Sequence, residues 1–177
     1  MIRANPALDW VPGMMQTRDD LTAWQEFIIE HKPASFVELG TASGNFTRWL
    51  SELVPCVATF DRNAPLSASG LPNAPAGFRE CDIFSPDGAR LVRTTIAAAL
   101  RPVVLFCDNG DKPREVLFFD GALERGDFLA VHDYGVEIDS HHIPAPFPYT
   151  PIGGRGLTRF YRLDGGLFAG EGRRRGL

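Results

Sequence analysis

The chain has 177 residues, 44% hydrophobic and 23% charged, with a net charge of −4. That is the length of one domain able to bury a core, and its acidic balance argues against a nucleic-acid partner. No apolar run approaches membrane-spanning length and the first residues carry no leader pattern, so a cytoplasmic protein without a membrane partner is expected.

Thr17 with Asp20 three residues on reads as a helix start. Leu21, Trp24, Phe27 and Ile28 then share one face until Pro33. Residues 36–39 are a short apolar strand, followed by Gly40, Gly44 and an amphipathic helix over 46–53. Strand, glycine turn and helix in that order let a backbone approach a ligand closely. A bulky residue at Gly40 is therefore expected to block a ligand while leaving the fold intact. Further apolar strands are expected over 56–60, 78–81, 102–107 and 128–131, with helices over 86–100 and 113–123. Residues 62–77 read as an exposed loop, and the prolines and glycines of 134–156 break the alternation. Residues 157–163 and 167–169 flank Asp164-Gly-Gly166 as a closing hairpin.

Five strands alternating with helices, apolar on both faces, predict an α/β fold. It is Rossmann-like and doubly wound: a mostly parallel sheet with helices on both faces and a C-terminal antiparallel hairpin. The organisation expected is one domain: an N-terminal segment and helix (1–33), a cofactor-binding core (34–133), a loop (134–156) and the hairpin (157–170). Cys56, Cys81 and Cys107 form no C-x-x-C and read as buried thiols of a reducing compartment. The basic tail Arg173-Arg174-Arg175 reads as a solvated end.

The functional argument lies at the strand ends. The five strands end at or beside Glu38, Asp61, Asp82, Asp108 and Asp133, on the rim where open α/β sheets bind ligands. The glycine spacing is Gly-x-x-x-Gly rather than G-x-G-x-x-G. With an acid two residues ahead, it resembles the first motif of class I S-adenosylmethionine (SAM) methyltransferases. Asp61 is placed to accept from ribose hydroxyls, with Arg62 beside it. Asp82 is placed to accept from an adenine amino group, with Ile83 against the ring. Asp108 and Asp133, on adjacent strands, are placed to hold a hard divalent cation such as Mg²⁺.

A wider resemblance rests on four stretches: Val11-Pro-Gly-Met-Met-Gln-Thr-Arg-Asp-Asp-Leu, Trp24-Gln-Glu-Phe-Ile-Ile-Glu-His-Lys-Pro33, Phe106-Cys-Asp108-Asn-Gly-Asp111-Lys-Pro-Arg-Glu-Val116, and Val131-His-Asp133-Tyr-Gly. Together with the glycine motif they resemble the cephalosporin hydroxylase and rhamnosyl O-methyltransferase family, over about residues 11–135. The resemblance implies a class I SAM methyltransferase fold, with SAM held by Glu38, Gly40, Thr41, Ser43, Gly44, Asp61, Arg62, Asp82, Ile83 and Asp108. It implies O-methylation of a small molecule or sugar. Two positions depart from the family: Asp111 stands where a His is frequent, and His132 where a carboxylate is.

His132 is a softer donor than Mg²⁺ prefers, so a metal-free site is favoured over one built on Asp108 and Asp133. In that reading His132 is the general base, with Asp111 second and Asp108 nearby; the alternative is that His132 only hydrogen-bonds within the strand end. Lys112, at a helix start, is expected to be solvated. The pair His141-His142 reads as a loop contact, and Met14, Met15 and Gln16 as a cover over the cofactor. The alternative is a SAM-binding or scaffold protein of the same fold without methyl transfer. A nicotinamide oxidoreductase is disfavoured by the glycine spacing and the lack of Tyr-x-x-x-Lys, and a nucleic-acid amino-methyltransferase by the absence of Pro-Pro-aromatic after Asp108. A homo-oligomer remains open.

Overall fold

The computed structural model describes residues 9–66, 70, 72–143 and 149–165. Two short strands, β1 (Trp10–Val11) and β2 (Gln16–Thr17), pair antiparallel and lead into helix α1 (Arg18–His31). The predicted cap forms: the Thr17 hydroxyl accepts from Asp20 N, and the Asp20 carboxylate accepts from Thr17 N at 2.9 Å. Lys32, left-handed at φ +47°, ends the helix ahead of Pro33.

The main sheet is built from β3 (Ser35–Leu39), β4 (Cys56–Asp61), β5 (Phe78–Glu80), β6 (Val103–Cys107), β7 (Phe128–Val131), β8 (Tyr149–Gly153) and β9 (Arg159–Leu163). Helices α2 (Asn45–Ser51), α3 (Pro86–Ala98) and α4 (Lys112–Phe119, continued by a 3-10 turn over Asp120–Ala122) connect the parallel strands. The spatial order is β5-β4-β3-β6-β7-β9-β8, parallel from β5 to β7 and antiparallel at β9 and β8. The chain therefore moves outward through β3, β4 and β5, then returns to the far side of β3. The switch in strand order falls between β3 and β6, where their carboxyl ends open a crevice.

A C-terminal antiparallel hairpin closes the sheet, as expected. Tyr149–Gly153 pairs with Arg159–Leu163 across Gly154 and Gly156, and this first arm had been read as loop. The predicted arm 167–169 and the basic tail fall outside the described residues. The proline in β8 had argued for a loop, but β8 is an edge strand, where a missing N–H is tolerated.

Side chains alternate across the sheet into two cores. Val103, Leu105 and Cys107 of β6 face Val92, Ile96, Val116 and Phe119. Val104 and Phe106 face Trp24, Phe27, Phe46, Leu50 and Phe160. Trp24 is fully buried, its ring centroid 4.6 Å from Phe160 and 5.0 Å from Phe106. Of the thiols expected to be buried, Cys107 is, Cys81 is half-buried and Cys56 is exposed at the start of β4. Among the described residues no helix is long and apolar enough to cross a membrane.

Candidate cofactor-binding and active site

On the β3 side of the crevice, Gly40 leaves the strand at φ +102°. A Cβ there would lie 2.4 Å from the Asp108 carbonyl oxygen. Glycine is needed because the turn crosses the end of β6, so a bulky residue would break the fold rather than merely block a ligand, contrary to expectation. Gly44, at φ +74°, is covered by Pro75 and the Asn73 carbonyl. Between the glycines, Thr41 and Ala42 donate their backbone N–H groups to Asp61 Oδ2 at 3.0 and 3.1 Å. Asp61 Oδ1 accepts from Asn63 N at 3.2 Å. The turn thus fixes the orientation of the predicted ribose acid. Ser43 Oγ and Asn45 Nδ2 both donate to the Gly13 carbonyl, so the loop between β1 and β2 lies over the turn.

Glu38 is an internal tie. It is 2% exposed and accepts from the Thr47 hydroxyl at 2.5 Å, joining β3 to α2. Burial pushes its carboxyl up to about 7, against the bonds from Thr47 and Thr59 and with the Asp108 and Asp61 charges adding to the rise. Asp82 is exposed, 3.5 Å from Arg62, and accepts from Phe84 N. Ile83 is 1% exposed in the core beside Leu39 and Phe60. Its side chain offers no ring-stacking face at the rim.

On the β6–β7 side, Asp108, His132 and Asp133 come together: one ligand atom from each lies within 4.8 Å of the others. His132, 3% exposed, sets Nδ1 at 3.1 Å from Asp108 Oδ1 and Nε2 at 3.6 Å from Asp20 Oδ2. Burial alone would lower its pKa, but the Asp108 charge and hydrogen bond, with the Asp20 carboxylate close by although Nε2 makes no hydrogen bond, push it up to about 10. These carboxylates favour the protonated ring, and their contacts engage a side chain that the sequence had read as a free general base. Asp20 is its counterpart. Burial would raise that carboxyl, yet the neighbouring His132 and bonds from Thr17 hold it well below the usual carboxylate range. Its Oδ1 also accepts from Leu157 N and Thr158 N at 2.8 and 2.9 Å.

Lys112 is buried, not solvated. Its Nζ lies 2.7 Å from Glu137 Oε2, 2.8 Å from Asp133 Oδ2 and 3.5 Å from Asp108 Oδ1. Burial opposes the charge, but Asp108, Asp133 and Glu137 together raise its pKa above the ordinary lysine value. Glu115, buried behind it, accepts from Asn109 N and Asp111 N at 3.2 Å, and burial pushes it up to about 8 despite those bonds. Asp111 is exposed and caps α4 by accepting from Arg114 N at 3.4 Å. No hydrogen bond joins Asp111 to His132 among the described residues, so the expected acid/base pair does not form. His141 and His142 both lie against Asp139 in an exposed loop.

The sequence marked Asp20 only as a helix cap and Lys112 and Glu115 only as members of a resembling stretch, and it offered nothing for Glu137. Gln16 was foreseen as a cover, and it is buried, with Nε2 donating to Asp108 Oδ2 at 3.2 Å and Oε1 buried without a donor. That orphan acceptor suits the ammonium end of an amino-acid-like cofactor. The charge balance suits a cation too: four carboxylates (Asp20, Asp108, Asp133, Glu137) surround two cations (Lys112, His132). A divalent metal fits the observed arrangement poorly, because Lys112 already stands between Asp108 and Asp133. Non-glycine residues with positive φ gather here as well: Met15, Ala42 and Asp133.

No family model matches the chain, and no curated protein matches it. Solved structures do. CmcI described with Mg and SAM is 21% identical, with a TM-score of 0.54, covering 68% of this chain and 54% of that one. A SAM methyltransferase from Silicibacter pomeroyi DSS-3 is 16% identical, with a TM-score of 0.53, covering 83% of this chain and 99% of that one. A methyltransferase from Geobacter sulfurreducens is 16% identical, with a TM-score of 0.52 and coverage of 82% and 80%. The chain spans about half the length of CmcI. These likenesses establish the fold: the chain has the Rossmann-like architecture of the class I SAM methyltransferases, as the sequence led one to expect.

Proposed function

We propose that the chain is a SAM-dependent methyltransferase that acts on a small molecule or sugar, at oxygen. The observation that carries this reading is Asp61, whose carboxylate is clamped by the Thr41 and Ala42 amides at the switch in strand order. There its remaining lone pairs are pre-oriented for a pair of ribose hydroxyls. SAM supplies an electrophilic methyl group on a sulfonium. Gln16 Oε1 is the acceptor offered to its ammonium, and the excess of carboxylates at the rim favours its positive charge. The fold shared with solved SAM methyltransferases supports the same reading.

Methyl transfer to a hydroxyl needs alignment and loss of a proton. With His132 committed to Asp20 and Asp108, Asp111 is the exposed carboxylate on this rim able to take that proton. The reading carries a cytoplasmic location with it, in keeping with three free cysteines. Calorimetry with SAM and with its demethylated product tests binding, and methyl transfer to a panel of hydroxylated acceptors tests the reaction. Micromolar binding with turnover is expected. Binding with no turnover on any acceptor would leave a SAM-binding scaffold, and absence of binding would end the proposal.

A further inference from the structure

The acidic side of the crevice contains its own cation. Three carboxylates from three places in the chain, Asp108 after β6, Asp133 after β7 and Glu137 in the following loop, converge on one atom, Lys112 Nζ. The lysine reaches it from the first residue of α4, and its side chain is only 3% exposed. Desolvating an ammonium is costly unless several oxygens replace its water. Here three do.

We propose that Lys112 is the resident cation of this rim, holding Asp108, Asp133 and Glu137 in place without any divalent metal. Two unit charges a few ångströms apart repel by several kcal/mol at an effective dielectric of about 20, so a divalent ion and Lys112 Nζ exclude each other between the same carboxylates. A hard ion such as Mg²⁺ also demands an octahedron of oxygens at about 2.0–2.1 Å. His132, committed to Asp108 and Asp20, supplies none. Lys112 is accordingly a positioning residue: it touches the carboxylates and acts through them. The inference deepens the methyltransferase reading and rests on it for turnover, but its central claim concerns cation binding and is tested without SAM.

Removing the ammonium should vacate a site lined by three carboxylate oxygens. Mn²⁺ serves as the probe, its binding followed by electron paramagnetic resonance. The wild-type chain should bind Mn²⁺ no better than a chain carrying Asp133→Asn. Lys112→Met should bind it at least roughly tenfold more tightly, a gain of about 1.4 kcal/mol, and adding Asp133→Asn should abolish the gain. A folded Lys112→Met chain that gains no Mn²⁺ overturns the proposal. So does wild-type Mn²⁺ binding that Asp133→Asn removes.

Should Lys112→Met fail to fold, the wild-type chain still decides. Its melting temperature should be the same in excess EDTA and in millimolar Mg²⁺, and a rise with Mg²⁺ that Asp133→Asn removes overturns the proposal. If SAM proves not to bind while these results hold, the methyltransferase reading fails and the resident cation stands.

Discussion

The two sides of the crevice treat their acids differently. On the β3–β4 side, Asp61 is held by backbone amides, which leave its charge in place and unneutralised. On the β6–β7 side, Asp108, Asp133 and Asp20 are each matched to a buried cation. Amide dipoles orient a carboxylate without cancelling it, whereas an ammonium or imidazolium both orients and cancels. The first arrangement presents a charged acceptor to a ligand. The second builds a rigid wall. The two sides meet at Gly40, where the glycine turn lies against the Asp108 backbone.

That meeting point is where the comparison breaks most easily. Gly40→Val would drive a Cβ into the Asp108 carbonyl at a φ of +102° that a β-branched residue avoids. The variant should lose its cooperative melt by circular dichroism. Gly110→Ala, also at positive φ but with nothing within 4 Å of the added Cβ, should cost only about 1 kcal/mol. Equal melts for the two variants would show that the crossing is not as tight as described.

The wall itself is tested next. Asp20→Ala leaves the His132 cation without one partner, the Leu157 and Thr158 N–H groups without an acceptor, and α1 without its capping box. Breaking a buried pair in this way costs about 3–5 kcal/mol, read as a shift of the denaturation midpoint. A loss below about 1 kcal/mol would mean that water already replaces these contacts. On the other side, Asp61→Ala should weaken SAM roughly ten- to a hundredfold, the value of a charged hydrogen bond of about 1.5–3 kcal/mol. An effect under about twofold in calorimetry would reduce Asp61 to a brace for the turn.

The two sides also differed in how far the sequence revealed them. Local signals marked the β3–β4 side: an apolar run, two glycines and an acid at a strand end. They placed α1, α2 and the parallel strands within a few residues. The β6–β7 side depends on contacts far apart in sequence. Asp20 meets Thr158 N across 138 positions, and Lys112 meets Glu137 across 25. No periodicity announces such pairings, so His132 read as a solvent-tuned base and Lys112 as a surface lysine. Gly40 was singled out correctly, but the sequence did not show that the Asp108 peptide lies where its Cβ would be. The closing antiparallel hairpin was read at the right end of the chain, but its arm Tyr149–Gly153 was hidden because Pro151 and the glycines beside it read as loop.

Glu38 separates the two sides electrostatically, since both Asp108 and Asp61 charges add to the burial that raises it to about 7. Unfolded, its carboxyl ionises near 4.5. Between about pH 4.5 and 7 the folded chain therefore keeps a proton that the unfolded chain has lost, and stability falls as pH rises through that window. Glu115, raised to about 8, acts in the same sense over an overlapping range. Glu38→Gln should flatten the decline, removing on the order of 3 kcal/mol of the difference between pH 4.5 and 8, as read by denaturant titration at each pH. A wild-type and variant profile of identical slope would place the Glu38 proton elsewhere.

The smallest expected effect sharpens the clamp on Asp61. Ala42 is exposed and holds φ +47°, while its N–H donates to Asp61 Oδ2. A left-handed alanine costs about 1–2 kcal/mol, and glycine removes that cost but forfeits about 0.5–1 kcal/mol through its freer unfolded chain. Ala42→Gly should accordingly stabilise the protein by about 0.5 kcal/mol or slightly more, with the amide still bonded to Asp61. SAM affinity should stay within about twofold, because the donor is backbone and survives the change. Ala42→Val should move stability the other way by about 1–2 kcal/mol, since a β-branched residue tolerates this φ worst. If glycine destabilises instead, alanine is relaxed at this position, and the turn holds Asp61 without strain.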